Sequence, residues 1–130
     1  MRLRILLLLL ALTLAACGGT DTAQFELVSP AEAATVLEER AADVVLLDVR
    51  TLEEFNEVRV PGSVNVDFYA ADFAFQLDTL PKDVPYVVYC RSGNRSSQTM
   101  DIMRDLGFAE VWDVDGGILS WSEAGLPLEN

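Results

Sequence analysis

Residues 86–96 read YVVYCRSGNRS, an apolar run that passes without a break into a polar loop containing one glycine. The run from residue 86 to residue 89 is short and apolar, which predicts a β-strand buried on both faces. Residues 96–106 carry apolar side chains at helical spacing and end before Gly107, a residue that commonly terminates helices. We therefore predict a strand, a tight loop headed by Cys90, and a helix.

The rest of the chain continues this alternation of strands and helices. We predict further strands at residues 25–28, 44–49, 64–66 and 110–114, and further helices at residues 30–40, from residue 51, at 71–80 and at 118–124. Ser29 and Thr51 each begin a capping box, the pattern in which a Ser or Thr is followed three residues later by Glu. Alternation of this kind predicts an α/β fold in one domain, with a mainly parallel five-stranded sheet and helices on both faces.

The loop at Cys90 combines several features that make a thiol reactive. Ligands of α/β sheets bind beyond the carboxyl ends of the strands, and a tight loop there turns backbone N–H groups inward. Gly93 and Asn94 tolerate the positive φ angles that such a curl needs. Arg91 and Arg95 add positive charge, so we expect Cys90 to react as a thiolate. The alternative is a buried structural cysteine, which the charged and glycine residues after it disfavour.

With these residues in view, the sequence resembles the rhodanese-type sulfurtransferases. The segment CRSGNRS at residues 90–96 is similar to the active-site loop of that family. Other similar segments follow in the family's order, namely LLDVR at 46–50 with EEF at 53–55, VPGSVNV at 60–66, GGI at 116–118 with Trp121, and GLP at 125–127. The resemblance extends from about residue 29 to residue 129, and it implies a single rhodanese-like domain.

This resemblance implies sulfur transfer in two steps, with Cys90 as the catalytic nucleophile. The thiolate would take the sulfane sulfur of a small anionic donor such as thiosulfate, and the resulting persulfide would pass it to a thiol or protein thiol. The remaining loop residues would bind the substrate; they are Arg91, Ser92, Gly93, Asn94, Arg95 and Ser96. The resemblance implies neither a metal nor an organic cofactor.

Two alternatives to a sulfurtransferase use the same fold. Phosphatases of this fold have five residues between the cysteine and the arginine of the loop. Here four residues separate Cys90 from Arg95, which gives a smaller ring suited to sulfur. The second alternative is a non-catalytic sulfur carrier or a protein-interaction module at the cell envelope. The intact cysteine favours the enzyme, because inactive members of the family typically lose it.

Charged residues near the expected site have a structural interpretation. Asp48 and Arg50 lie at the end of a predicted strand, and we interpret them, together with Glu53 or Glu54, as a hydrogen-bonded network that supports the loop. The resemblance departs from the family at residues 58–59, where Val-Arg stands in place of the frequent Gly-His. We interpret the two tryptophans, at residues 112 and 121, as packing residues.

The first 16 residues contain the three parts of a secretory signal. Arg2 and Arg4 precede an apolar stretch of 12 residues, roughly 18 Å long as a helix, whereas a bilayer core measures about 30 Å. Residues 14–17, LAAC, resemble the lipobox of bacterial lipoproteins. We therefore expect residues 1–16 to be removed, Cys17 to be lipidated, residues 17–24 to form a tether and residues 25–130 to form the domain. The protein would be exported and held at the cell envelope, with its lipid as the membrane contact.

The composition excludes several classes of function. The chain has no histidine, which excludes Cys-His and Ser-His catalysis and His-ligated metals. Without Arg2 and Arg4, 7 basic and 21 acidic residues remain, a net charge of −14 that repels nucleic acids. We expect a monomer with no nucleic-acid partner. If Cys17 carries lipid, Cys90 has no intramolecular disulfide partner, and its acceptor must be another molecule.

Overall fold

Strands and helices alternate along residues 22–130, which are the residues that the computed structural model describes. The strands are β1 (Gln24–Val28), β2 (Val45–Asp48), β3 (Val64–Asn65), β4 (Tyr86–Tyr89) and β5 (Glu110–Val114). The helices are α1 (Pro30–Glu39), α2 (Leu52–Glu57), α3 (Phe73–Asp78), α4 (Asn94–Asp105) and α5 (Gly117–Glu123). The predicted α/β order is confirmed.

All five strands belong to one parallel sheet in the order β1-β5-β4-β2-β3. β4 is central, with β2 on one side and β5 on the other. Asp48 of β2 pairs in register with Tyr89 of β4, and Val88 of β4 pairs with Asp113 of β5. The carboxyl ends of β2, β4 and β5 therefore lie side by side, and Cys90 follows the middle one.

Helices cover both faces of the sheet, as the sequence predicts. Alternate side chains of a strand point to opposite faces. On one face, α3 and α4 pack against residues such as Leu47, Val88 and Val111. On the other face, α1 and α5 pack against a second cluster that includes Trp112 and Trp121. Both tryptophans are buried, which agrees with their interpretation as packing residues.

The starts of three helices show which local signals were informative. Both predicted capping boxes are present, at Ser29 and at Thr51. α4 begins two residues earlier than predicted, because Gly93 takes the left-handed conformation (φ 103°) and already serves as the N-cap. The expectation of a positive φ at Asn94 is wrong, since Asn94 is the first helical residue and no residue other than glycine has positive φ within 22–130.

Within residues 22–130, no helix is both long enough and apolar enough to cross a membrane. The predicted leader at residues 1–16 and the predicted lipidation site, Cys17, lie outside the described residues.

Candidate active site

Cys90 lies at the carboxyl end of the central strand, immediately after four residues of β4 that are all buried. It is the free cysteine of the described part of the chain, and only 1% of its surface is exposed. The backbone just before it is held by the neighbouring strand, because the Val49 N–H donates to the carbonyl of Tyr89 at 3.0 Å. The predicted nucleophile is therefore held at the edge of the sheet where α/β proteins bind ligands.

Two groups of the loop contact the Cys90 sulfur directly. The backbone N–H of Gly93 donates a hydrogen bond to Sγ at 3.0 Å. The Ser96 hydroxyl lies 3.4 Å from the same atom, and either group could be the donor. Gly93 can turn its N–H toward the sulfur because its backbone is left-handed, a conformation that costs other residues free energy. A backbone N–H aimed at sulfur favours a negatively charged sulfur.

The start of α5 supports the loop from the side. Ile118 N–H donates to the carbonyl of Cys90 at 2.8 Å, and Leu119 N–H donates to the carbonyl of Arg91 at 3.2 Å. A Cβ on Gly117 would lie 2.4 Å from the Cys90 carbonyl oxygen, so only glycine fits there. In the sequence the Gly116-Gly117 pair marks the resemblance to the family, but it gives no sign of this supporting contact.

Arg95 is turned away from solvent and paired with a carboxylate of α2. Its two terminal nitrogens donate to the two carboxylate oxygens of Glu54 at 2.7 and 2.9 Å. Those hydrogen bonds lower the pKa of Glu54 to about 2. The guanidinium also lies 5.6 Å from the ring centre of Tyr69. Much of the positive charge that we predicted near the thiol is thus balanced by Glu54.

Glu53, the acid that we placed in the supporting network, is not part of it. Its side chain is exposed and makes no hydrogen bond or ion pair with the described residues. Glu54, the other acid considered, does not bond Asp48 or Arg50 either. As the N3 residue of the Thr51 capping box it is turned back toward the helix start. At that position its carboxylate reaches Arg95.

The other predicted binding residues divide by exposure. Arg91, Ser92 and Asn94 are exposed, whereas Ser96 is buried. The Arg91 side chain forms no ion pair or hydrogen bond within residues 22–130. The amide of Asn94 accepts a hydrogen bond from Gln98 at 2.9 Å and so is occupied within α4. Among the charged side chains of the loop, Arg91 is thus the one that stays available to a ligand.

Asp48 and Arg50 form the buried pair that the sequence predicts. The Asp48 carboxylate accepts from the backbone N–H, Nε and Nη2 of Arg50, at distances between 2.6 and 3.1 Å. Both residues are almost fully buried, and Arg50 also donates to the Val58 carbonyl at 2.6 Å. The pair ties the end of β2, next to Tyr89, to the segment after α2. The Arg50 guanidinium also lies 5.5 Å from the ring centre of Tyr89, the last residue of β4.

Arg59 belongs to the Val-Arg pair in which the chain departs from the family. Arg59 donates to the Glu129 carboxylate at 3.0 Å and so holds the C-terminal segment. Of the aromatic residues at positions 68–75, Phe73 is buried in the core, whereas Tyr69 and Phe75 are exposed. Tyr69 lies beside Arg95 and is therefore close to the loop.

Asp113 is a buried residue near the site that the sequence analysis did not single out. It lies in β5 and only 3% of its surface is exposed. Burial raises the pKa of its carboxyl to about 6, and the Ser96 hydroxyl opposes part of that rise. No sequence signal distinguishes it from the other acids, because its burial depends on the strand order.

Comparison with known proteins agrees with this geometry. The family model described as the rhodanese-like domain matches residues 29–124. The chain is 34% identical over 86 residues to a sulfurtransferase of Allochromatium vinosum, covering 66% of this chain and 78% of that protein. It is 39% identical over 93 residues to the thiosulfate sulfurtransferase GlpE of Pseudomonas savastanoi pv. phaseolicola, covering 71% of this chain and 83% of that protein.

A solved structure supports the same assignment. The crystal structure of a rhodanese-related protein from Thermoplasma volcanium superposes on the chain with a TM-score of 0.67 and 31% sequence identity. The superposition covers 80% of this chain and 97% of that protein. The loop at Cys90 lies within residues 29–124, the range that the family model matches.

Proposed function

The chain belongs to the rhodanese-like domain family, and sulfurtransferases are among its relatives. We propose that its Cys90 carries sulfur as a persulfide. The donor in this proposal is a small anion with a sulfane sulfur, such as thiosulfate, or another persulfide. The acceptor is a thiol or a protein thiol. The single observation that carries the proposal is the 3.0 Å hydrogen bond from the Gly93 N–H to the Cys90 sulfur.

The first step of the proposed reaction is nucleophilic substitution at sulfur. The Cys90 thiolate attacks the outer sulfur of thiosulfate, a new S–S bond forms, and the S–S bond of the donor breaks to release sulfite. In the second step an acceptor thiolate attacks the outer sulfur of the Cys90 persulfide. The acceptor leaves as a persulfide and the Cys90 thiolate is restored, so no external oxidant or reductant is consumed.

The charges around the loop suit the two anions of this reaction. Thiosulfate and sulfite are both dianions, and the exposed Arg91 is the loop cation that is free to meet them. Its attraction acts over about 8 Å at physiological ionic strength. Arg95, held by Glu54, instead ties the first turn of α4 to α2. The small exposed surface of Cys90 favours a donor no larger than a few atoms.

The test is the intact mass of the full-length chain after incubation with thiosulfate. We expect the wild type to gain the mass of one sulfur atom, and to lose it again when cyanide or a thiol is added. The Cys90→Ser variant has the same backbone and should gain nothing. A chain that forms the adduct but never passes it to a thiol would be a sulfur carrier and not an enzyme. Absence of an adduct with thiosulfate and with persulfide donors would exclude both.

We further propose that the mature protein is a lipoprotein of the cell envelope, attached through Cys17. The proposal rests on the basic start, the short apolar run and the LAAC segment at residues 14–17. In cells, the wild type should partition into the detergent phase and Cys17→Ser into the aqueous phase. Equal partitioning of the two forms would refute lipidation, and it would leave the proposal for Cys90 intact.

A further inference from the structure

The chain enters the sheet at the edge opposite to Cys90. Because β1 is parallel to the other four strands, all five strands begin at one edge of the sheet, the amino edge, and end at the other, the carboxyl edge. Gln24, the first residue of β1, is level with Glu110, the first residue of β5. Cys90 instead follows the last residue of β4. The start of the domain and its nucleophile therefore lie at opposite edges.

The residues just before β1 stay at the amino edge. Thr22 lines a hollow there together with Asp83, which precedes β4, and Gly107, which precedes β5. The Gln24 N–H donates to the Ala109 carbonyl at 2.7 Å and so fixes the chain at this level. The chain therefore joins the domain at the amino edge already at Thr22.

The strand register gives the distance between this entry point and the nucleophile. Leu27 of β1 and Val88 of β4 both pair with Asp113, and Cys90 follows Val88 by two residues. Cys90 is thus five residues further along the strand direction than Gln24, which corresponds to about 17 Å. β1 and β4 are two strands apart, which adds about 10 Å sideways. The two points are separated by about 20 Å.

The proposed lipidation site is close in sequence to the entry point. Thr22 is the fifth residue after Cys17. Five residues span at most about 18 Å when fully extended, and a flexible chain of that length spans about 12 Å on average. For the Cys90 loop to touch the bilayer, Cys17 would have to lie beyond the loop, at the far edge of the domain. A tether of this length does not reach that far.

The carboxyl edge carries apolar side chains that a membrane could otherwise accommodate. Tyr69 is exposed beside Arg95, Leu52 is exposed at the start of α2, and Leu119 is exposed near the start of α5. These side chains would favour an orientation in which the domain rests on lipid with its carboxyl edge. The short tether opposes that orientation, so the two orientations are competing expectations.

We propose that the amino edge faces the membrane, that the Cys90 loop faces the aqueous phase, and that the sulfur acceptor is therefore a water-soluble thiol or protein thiol and not a lipid-embedded one. This inference rests on the lipidation of Cys17 and on the persulfide of Cys90 proposed above. In this orientation the exposed Arg91 meets its anionic donor in the aqueous phase.

The first test measures the orientation of the full-length lipidated chain in phosphatidylcholine vesicles, in which part of the lipid carries a nitroxide quencher on its head group. One fluorophore is attached at Asp83→Cys, at the amino edge, or at Asn94→Cys, in the loop; both positions are exposed. Cys90→Ser in both chains leaves the fluorophore a single thiol. Because β4 lies between the two positions, quenching at Asp83→Cys should exceed quenching at Asn94→Cys by about threefold or more.

A longer tether is the matched control. An insert of about 20 glycine and serine residues between Asp21 and Thr22 has an average span of about 25 Å, enough for the domain to turn over. The ratio of the two quenching values should then fall toward one. Cys17→Ser, without the lipid, should leave both fluorophores unquenched.

The second test measures the acceptor with the lipidated wild type after loading with thiosulfate. A water-soluble thiol should remove the sulfur from Cys90 equally fast in vesicles and in detergent. A thiol attached to a lipid head group of the same vesicles should react about tenfold or more slowly than it does with the chain that carries the insert, because the short tether keeps the two sulfurs apart.

Equal quenching at the two positions, or stronger quenching at Asn94→Cys, would overturn the proposed orientation. Rapid discharge of the wild type by the lipid thiol would overturn the water-soluble acceptor. If the chain with Cys17 does not bind the vesicles, lipidation is refuted and the inference fails with it. If the chain binds with the expected quenching but takes up no sulfur, the persulfide proposal fails and the orientation stands.

Discussion

Replacing Glu54 with glutamine removes one negative charge beside Arg95 and keeps the shape of the side chain. The glutamine oxygen can still accept the Thr51 N–H that closes the capping box, a bond of 2.9 Å in the wild type. It can also accept one hydrogen bond from Arg95. The variant therefore isolates the charge of the ion pair that fixes the first turn of α4.

The structure sets the expected size of the effect. The hydrogen bonds from Arg95, with smaller contributions from those of Thr51, hold the pKa of Glu54 at about 2, against an ordinary value of 4.5. A difference of about 2.5 on the pH scale corresponds to at most about 3 kcal/mol. Because the side chains of Arg95 and Glu54 are 13% and 27% exposed, water screens the pair, and we expect a loss of about 1–2 kcal/mol at neutral pH.

The pH dependence of that loss follows from the lowered pKa. The folded state binds fewer protons than the unfolded state between pH 4.5 and about 2, so the stabilisation is complete above pH 4.5 and disappears as the pH falls toward 2. Urea denaturation of the full chain at neutral pH and at about pH 3 measures it. The difference between wild type and Glu54→Gln should be smaller at the lower pH.

Glu53→Gln is the matched control for this experiment. It makes the same chemical change one residue earlier in α2, on an exposed side chain without a described partner. We expect it to change the free energy of unfolding by less than about 0.5 kcal/mol. Equal losses in the two variants, or a loss in Glu54→Gln that does not depend on pH, would refute the account of the ion pair.

Three further substitutions test other parts of the site. Gly117→Ala would place a Cβ 2.4 Å from the Cys90 carbonyl oxygen, at a residue whose φ is +60°. We expect the rate at which Cys90 takes up sulfur, followed by time-resolved mass spectrometry, to fall by about tenfold or more. An unchanged rate would contradict the supporting contact. Arg50→Leu leaves the Asp48 carboxylate buried without a cation, so the free energy of unfolding measured with urea should fall by about 3–5 kcal/mol. A fall of less than about 1 kcal/mol would show that the pair is not a buried support. Asp113→Asn should raise the free energy of unfolding by about 1–3 kcal/mol above pH 6. The reason is that the wild type loses stability as the pH rises from 3.8, the ordinary pKa of an aspartate, to about 6, its pKa in the folded chain. An equal gain well below pH 3.8 would show that ionisation of Asp113 is not the cause.

The fold was predictable from the sequence because its signals are local. The capping boxes at Ser29 and Thr51 specify two helix starts through contacts three residues apart. The short apolar run before Cys90, rich in Val and Tyr, favours a strand of a sheet covered on both faces, and the structure has such a strand. The boundary at Gly93 was less predictable, since a glycine can lie in a loop or serve as an N-cap, and only its φ angle decides.

The site was predictable for its nucleophile and less so for the groups around it. Cys90 was identified from its place between a strand and a helix, and the Asp48–Arg50 pair from its place at a strand end. The partner of Arg95 depends on α2, which lies about 40 residues earlier in the chain. Glu54 had one usable signal, since the third residue of a capping box points back toward the helix start. Asp113 had none, because its burial depends on strand order and helix cover.

The central claim, a persulfide on Cys90, is tested most directly with thiosulfate that carries a heavy isotope in either its outer or its inner sulfur. After reaction with the full chain, the peptide containing Cys90 should gain one sulfur that carries the label of the outer position only. Label from the inner position, a sulfonate adduct, or no added mass with either reagent would contradict the account.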